Sequence, residues 1–173
     1  MGTTTRSSAW GANSGSRVPE LLSFGLLFVL QVVCIHEQRT PWFEDDAAFF
    51  FRYAENLAAG HGYRWNIEDP PVWGASAPLW PLLLAVGVKL GLSAGAASLL
   101  WSWILVLCAT ALLGLVVQRV AGLLGVLALA PLLAINHLYS TWATSGMESP
   151  LTYLLVACPL AVAAGSAPGP LVR

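Results

Sequence analysis

The sequence predicts an all-α integral membrane protein, with about five transmembrane or partly inserted helices and an amphipathic juxtamembrane helix in the first extracytoplasmic loop. Three observations lead there. The 173-residue chain is 57% hydrophobic and 10% charged, where ordinary soluble domains carry roughly 25% charged residues. Its mean hydropathy is +0.68. Its few charges are also gathered: the stretch Glu44–Trp80 holds Glu44, Asp45, Asp46, Arg52, Glu55, Arg64, Glu68 and Asp69, while the rest of the chain is mostly apolar. A net charge of −1 with no basic cluster excludes a nucleic-acid-binding surface.

In chain order, residues 1–19 are rich in Ser, Thr and Gly and carry Arg6 and Arg17, which reads as a disordered cytoplasmic tail. Residues 20–165 form the membrane domain. Its first apolar run, Leu21 to Ile35, follows Arg17 as a signal peptide would, but His-Glu-Gln-Arg-Thr-Pro follows in place of a small-residue cleavage site. An uncleaved first helix is therefore expected. Arg6 and Arg17 put its start in the cytoplasm and the loop 37–78 outside. Further apolar runs are Pro78 to Leu92, Ala96 to Val117, Ala121 to Ile135 and Leu151 to Ala164. The expected setting is multi-pass in the plasma (inner) membrane. Residues 166–173 form a short tail of a chain expected to be truncated. Cys34, Cys108 and Cys158 lie in apolar runs without metal-ligand spacing, and read as small buried hydrophobes.

Within the acidic insert, Asp45 to Ala59 has helical periodicity. At ~100° per residue, Asp45, Phe49, Arg52 and Asn56 share one face, with Asp46 and Tyr53 at its edge. Ala47, Phe50, Ala54, Leu57 and Ala58 fall opposite, so the helix is expected to lie on the membrane with that face in lipid. Gly60 and Gly62 flank His61 and should end it. Trp42, Trp65, Trp73 and Trp80, with Tyr63, suit the headgroup level. Asp45 and Asp46 carry two readings. They can cap the helix start; alternatively, two adjacent carboxylates can supply a general base or hold a divalent cation. Arg52 can neutralise one of them or bind a phosphate.

Asp45-Asp46-Ala-x-Phe49-x-x-Arg52-Tyr53-Ala-x-Asn56-Leu-Ala-x-Gly60-His61-Gly62-x-x-x-Asn66, followed by Gly74-x-Ser76-x-Pro78-Leu79-Trp80, resembles the first extracytoplasmic loop of GT-C superfamily membrane glycosyltransferases. The similar group is the family of bacterial terminal arabinofuranosyltransferases of cell-wall polysaccharides. Ser145-Gly146-Met147-Glu148-Ser149-Pro150-Leu151 is similar to a second block of the same proteins. The resemblance covers the N-terminal part of that architecture. It departs at Glu68–Ala77, where Trp73 stands in place of the family's second acidic residue.

The resemblance implies transfer of a sugar, arabinofuranose in that family, from a polyprenyl-phosphate carrier to a cell-envelope glycan acceptor, with inversion. Asp45 or Asp46 would be the general base, and Arg52, Tyr53, Asn56, His61, Arg64, Asn66 and Glu148 would line the substrate site. The implied partners are the lipid-linked donor, the glycan acceptor and membrane lipid. A divalent cation, if one takes part, would sit at Asp45 and Asp46. The competing expectation is a non-catalytic small membrane protein or pseudoenzyme subunit. A transporter is disfavoured, since the charges cluster in a loop outside the apolar helices.

Overall fold

A computed structural model describes residues 18–36, 43–72, 74–135 and 137–166. The tails and Trp42, Trp73, Arg6 and Arg17 lie outside them. Among the described residues the elements are helices, with no strand: α1 Val18–His36, α2 Ala47–Ala58, α3 Leu79–Lys89, α4 Ala94–Ile135, α5 His137–Thr144 and α6 Ser149–Ser166.

The turns follow from local chemistry. Gly60 takes φ 86°, and the His61 and Gly60 amides donate to the Asn56 and Leu57 carbonyls at 2.9 and 3.1 Å. That is a Schellman stop, and it ends α2 where the glycines predict. Pro78 and Ser93 precede α3 and α4; Ser93 Oγ accepts the Ala96 amide at 3.2 Å.

The helix α4 is long only by assignment. Gly122 at φ 63° and ψ −161° breaks it into legs 94–121 and 123–135. Val106 of the first leg and Leu133 of the second join one cluster with Ala143, although a straight helix would hold them ~40 Å apart. The legs therefore fold back on each other. They correspond to the runs Ala96 to Val117 and Ala121 to Ile135.

Contacts fix directions. Phe24 and Leu27 of α1 lie 2.8 and 3.3 Å from where a Cβ on Gly114 would stand, and Phe43 lies 3.2 Å from that position on Gly95. So α1 runs antiparallel to the first leg of α4. Leu105 clusters with Leu151, and Arg119 Nη1 lies 3.0 Å from the Cβ position of Gly165, so α6 runs parallel to that leg. One end of the bundle gathers the start of α1, Arg119 and the end of α6. The other gathers Phe43, α2, the start of α4 and the start of α6.

Two helices are long and apolar enough to cross a membrane by length and composition, Ala94–Leu133 and Ser149–Ser166. Only 33% and 17% of their apolar windows are buried, leaving Leu100, Ile104, Leu115, Leu155, Leu160 and Val162 exposed. With 11 residues, α3 reaches ~16 Å, about half a hydrocarbon core, so the run Pro78 to Leu92 makes no complete crossing by itself.

Three expectations are corrected. The apolar face of α2 meets protein: Ala47, Phe50 and Ala54 are buried, the latter two clustered with Trp80, Leu84 and Ala85 of α3. Periodicity marks such a face without saying what covers it. Trp80 is fully buried in the protein, so its ring meets side chains rather than lipid headgroups. Cys108 and Cys158 are free and exposed on the outer faces of α4 and α6; the side chain of Cys34 lies outside the described residues.

Candidate functional site

The site is assembled where α2 begins. The Glu44 amide donates to the Ser145 carbonyl at 2.9 Å, tying the segment before α2 to the turn before α6. Gly146 takes φ 85° there, and a Cβ on it would stand 2.7 Å from Ala47 Cβ and 2.9 Å from Phe43 Cδ1. Only glycine allows that approach. From the other side Trp80 Nε1 donates to the Gly146 carbonyl at 2.9 Å inside the core. The two sequence blocks, Asp45–Trp80 and Ser145–Leu151, thus meet at one turn.

Asp45 and Asp46 stand exposed at this junction. Asp46 is the N-cap of α2 but makes no side-chain cap hydrogen bond. Instead the Ala47, Ala48 and Phe49 amides donate to the Glu44, Asp45 and Asp46 backbone carbonyls at 2.9, 3.2 and 3.1 Å. A tight first turn satisfies the helix start, and the Asp46 carboxylate is left available for other work.

Glu148 is brought to the same junction. Ser76 Oγ donates to its Oε1 at 3.4 Å, while its Oε2 is buried without a partner among the described residues. Simple alternation of five crossings would put Glu148 on the cytoplasmic side, but α3, with 11 residues, is too short to cross and changes that parity. The structure puts it at the end that carries Asp45 and Asp46.

The remaining predicted residues divide by what their polar atoms do. Asn56 is buried, and its Nδ2 donates to the Arg64 and Trp65 carbonyls at 2.7 and 3.0 Å. Tyr53 is buried too; its hydroxyl donates to the Val72 carbonyl at 3.0 Å, and its ring stacks on Tyr63 at 4.8 Å. These two hold the loop 60–78 against α2, rather than standing on an open polar face as the helical wheel suggests. Arg64 Nη1 donates to the Asp69 carbonyl at 2.7 Å and Asn66 Nδ2 to Asp69 Oδ2 at 2.7 Å, so both brace the loop internally. Arg52 is exposed, and its Nε donates to the Trp65 carbonyl at 3.1 Å. Its two terminal nitrogens point to no partner among the described residues. His61 is exposed, and among the described residues its hydrogen bond is made by its backbone amide.

The Tyr63 phenol is pushed up to about 12 by burial and, to a lesser extent, by Tyr53 against it. Among the described residues no three His, Cys, Asp or Glu side chains gather as a metal cluster. A cation held by Asp45 and Asp46 would complete its shell from water or a bound phosphate.

Sequence reasoning singled out Gly146 and Ser76 only as motif positions, and Trp80 as a motif position suited to the headgroup level. It did not find their structural work, nor the exposed ring pair of Phe49 and Trp65, 4.9 Å apart. A contact between distant segments leaves no local periodicity to read. Comparison with known protein families, curated proteins and solved structures finds no match to the chain.

Proposed function

We propose that the chain is a membrane-embedded glycosyltransferase unit of the GT-C kind. It passes a sugar from a polyprenyl-phosphate carrier to a glycan acceptor at the outer face of the plasma membrane. The observation that carries this reading is the junction at Ser145–Gly146, where two widely separated motif blocks meet beside an uncapped Asp46 carboxylate and its neighbour Asp45.

Membrane placement is supported by the two long apolar helices and their exposed side chains. Orientation is supported by charge. Arg6 and Arg17 precede α1 in the sequence and Arg119 sits at the bundle end where α1 begins; the carboxylates of the loop lie at the other end, with Arg52, Arg64 and Lys89. The proposed outside placement of Asp45, Asp46 and Glu148 rests on Arg6 and Arg17 before α1, read by the positive-inside rule.

The reaction uses these groups simply. One aspartate takes the proton from the acceptor hydroxyl as its oxygen attacks the anomeric carbon. The bond from that carbon to the phosphate oxygen breaks on the opposite side, the phosphate leaves with the electron pair, and the configuration inverts. Arg52, whose terminal nitrogens meet no partner among the described residues, would meet the carrier phosphate, with exposed His61 as a further donor. Arg64, Asn56 and Tyr53 act by holding the loop.

The test is transfer itself, with the full chain in liposomes given polyprenyl-phosphate sugars and oligosaccharide acceptors. Extension of an acceptor supports the proposal. A chain that is folded, correctly oriented and inert toward all donors would leave the non-catalytic reading.

A further inference from the structure

Beside the aspartates lies a feature that the transfer reaction above does not use. Phe49 follows Asp45 by one helical turn and is 46% exposed; Trp65 of the loop is 37% exposed, and the two rings lie 4.9 Å apart at 35°. The loop is held so that this pair forms. The Trp65 carbonyl accepts from both Arg52 Nε at 3.1 Å and Asn56 Nδ2 at 3.0 Å, two side chains from the same stripe of α2 as Phe49. Tyr53, buried beneath, meets Trp65 edge-on at 6.1 Å. Doubly anchoring one loop residue while leaving its ring in the open is not explained by core formation. Large aromatic surfaces kept exposed mark binding positions.

We propose that Phe49 and Trp65 form a stacking platform for a saccharide ring, the acceptor's sugar next to the reacting hydroxyl. Sugar rings present C–H bonds with partial positive charge, which suit the negative faces of aromatic π systems. The rim suits the same ligand, since Asp45 and Asp46 are exposed just before α2 and accept hydrogen bonds from hydroxyl groups. Charge beside the platform is mixed, with Arg52 and Arg64 against Glu68 and Asp69, so charge alone does not assign it to an anionic membrane surface. Phe49 sits one turn from Asp45 on the same stripe, so a ring stacked on the platform carries its neighbouring hydroxyl toward the carboxylates.

The inference rests on the glycosyltransferase reading but is tested by binding alone, so that its failure and the failure of turnover are separable. The full chain, carrying 5-fluorotryptophan, is placed in lipid nanodiscs and titrated with a panel of neutral hexasaccharides built from different sugars. The Trp65 fluorine resonance is assigned by its loss in Trp65→Phe. The expected result is saturable movement of that resonance by at least one hexasaccharide, with affinity about tenfold weaker in Phe49→Leu, which keeps apolar bulk without a π face. In Trp65→Phe, binding read by the saccharide's own proton signals should persist. Three results overturn the proposal: no hexasaccharide moving Trp65, Phe49→Leu binding as tightly as the parent, or brominated lipid in vesicles quenching a fraction of the fluorescence that is lost in Trp65→Phe, which assigns the platform to the membrane.

Discussion

Trp80 and Gly146 form the clasp on which the site depends: the buried indole N–H of one donates to the carbonyl of the other at 2.9 Å. Trp80→Phe keeps most of the volume but orphans that carbonyl, which should cost about 1–3 kcal/mol. Trp80→Ala should cost about 3–5 kcal/mol through the cavity it leaves. Thermal unfolding in detergent would give the order parent, Phe, Ala.

Gly146→Ala attacks the same clasp from the backbone. Its φ of 85° disfavours any side chain, and the new methyl would stand 2.7 Å from Ala47 Cβ. A loss of about 2 kcal/mol or more is expected from the two effects together. Gly60→Ala, also at positive φ but with open space around its Cβ, should lose less. Equal losses at the two sites would contradict the close approach at Gly146.

Asn56 distinguishes holding the loop from binding substrate. Its side-chain Nδ2 donates to two carbonyls, of Arg64 and Trp65. Asn56→Asp replaces the donor with a buried carboxylate facing those oxygens, and should destabilise the loop more than Asn56→Ala. Proteolysis of residues 60–78 should accelerate in the order parent, Ala, Asp. Slower cleavage in Asp than in Ala would refute the assignment.

Alkaline pH tests the loop through Tyr63. Its phenol ionises near 10.0 when unfolded and at about 12 in the fold, chiefly because it is partly buried. The unfolded chain therefore releases its proton first, and stability falls as pH rises from about 10 to about 12. Below that window the contribution is fully present. Tyrosinate absorbance should show a late-titrating phenol that disappears in Tyr63→Phe, and that variant should lose part of the alkaline sensitivity.

Much of the frame was legible in the sequence, because apolar runs and glycine stops are local signals. The legs of α4 match two predicted runs, and α2 ends at Gly60 as its composition requires. What could not be read were contacts between distant segments. The polarity of Asn56 suggests solvent, yet the loop 60–78 folds over it. Trp80 looks interfacial by residue type, yet the Gly146 carbonyl draws it inside. The side of Glu148 depended on the run Pro78 to Leu92, whose helix α3 has only 11 residues, a length that hydropathy alone does not fix.

The central claim is that the carboxylates at the start of α2 do chemistry, and its most direct measurement is turnover in Asp45→Asn and Asp46→Asn. Both substitutions keep size and remove the base, and both sites are exposed, so the fold should persist. With the full chain in liposomes and a polyprenyl-phosphate sugar donor, one of them should lower kcat about 10²–10⁴-fold with acceptor binding retained. Unchanged transfer in both variants would contradict the account.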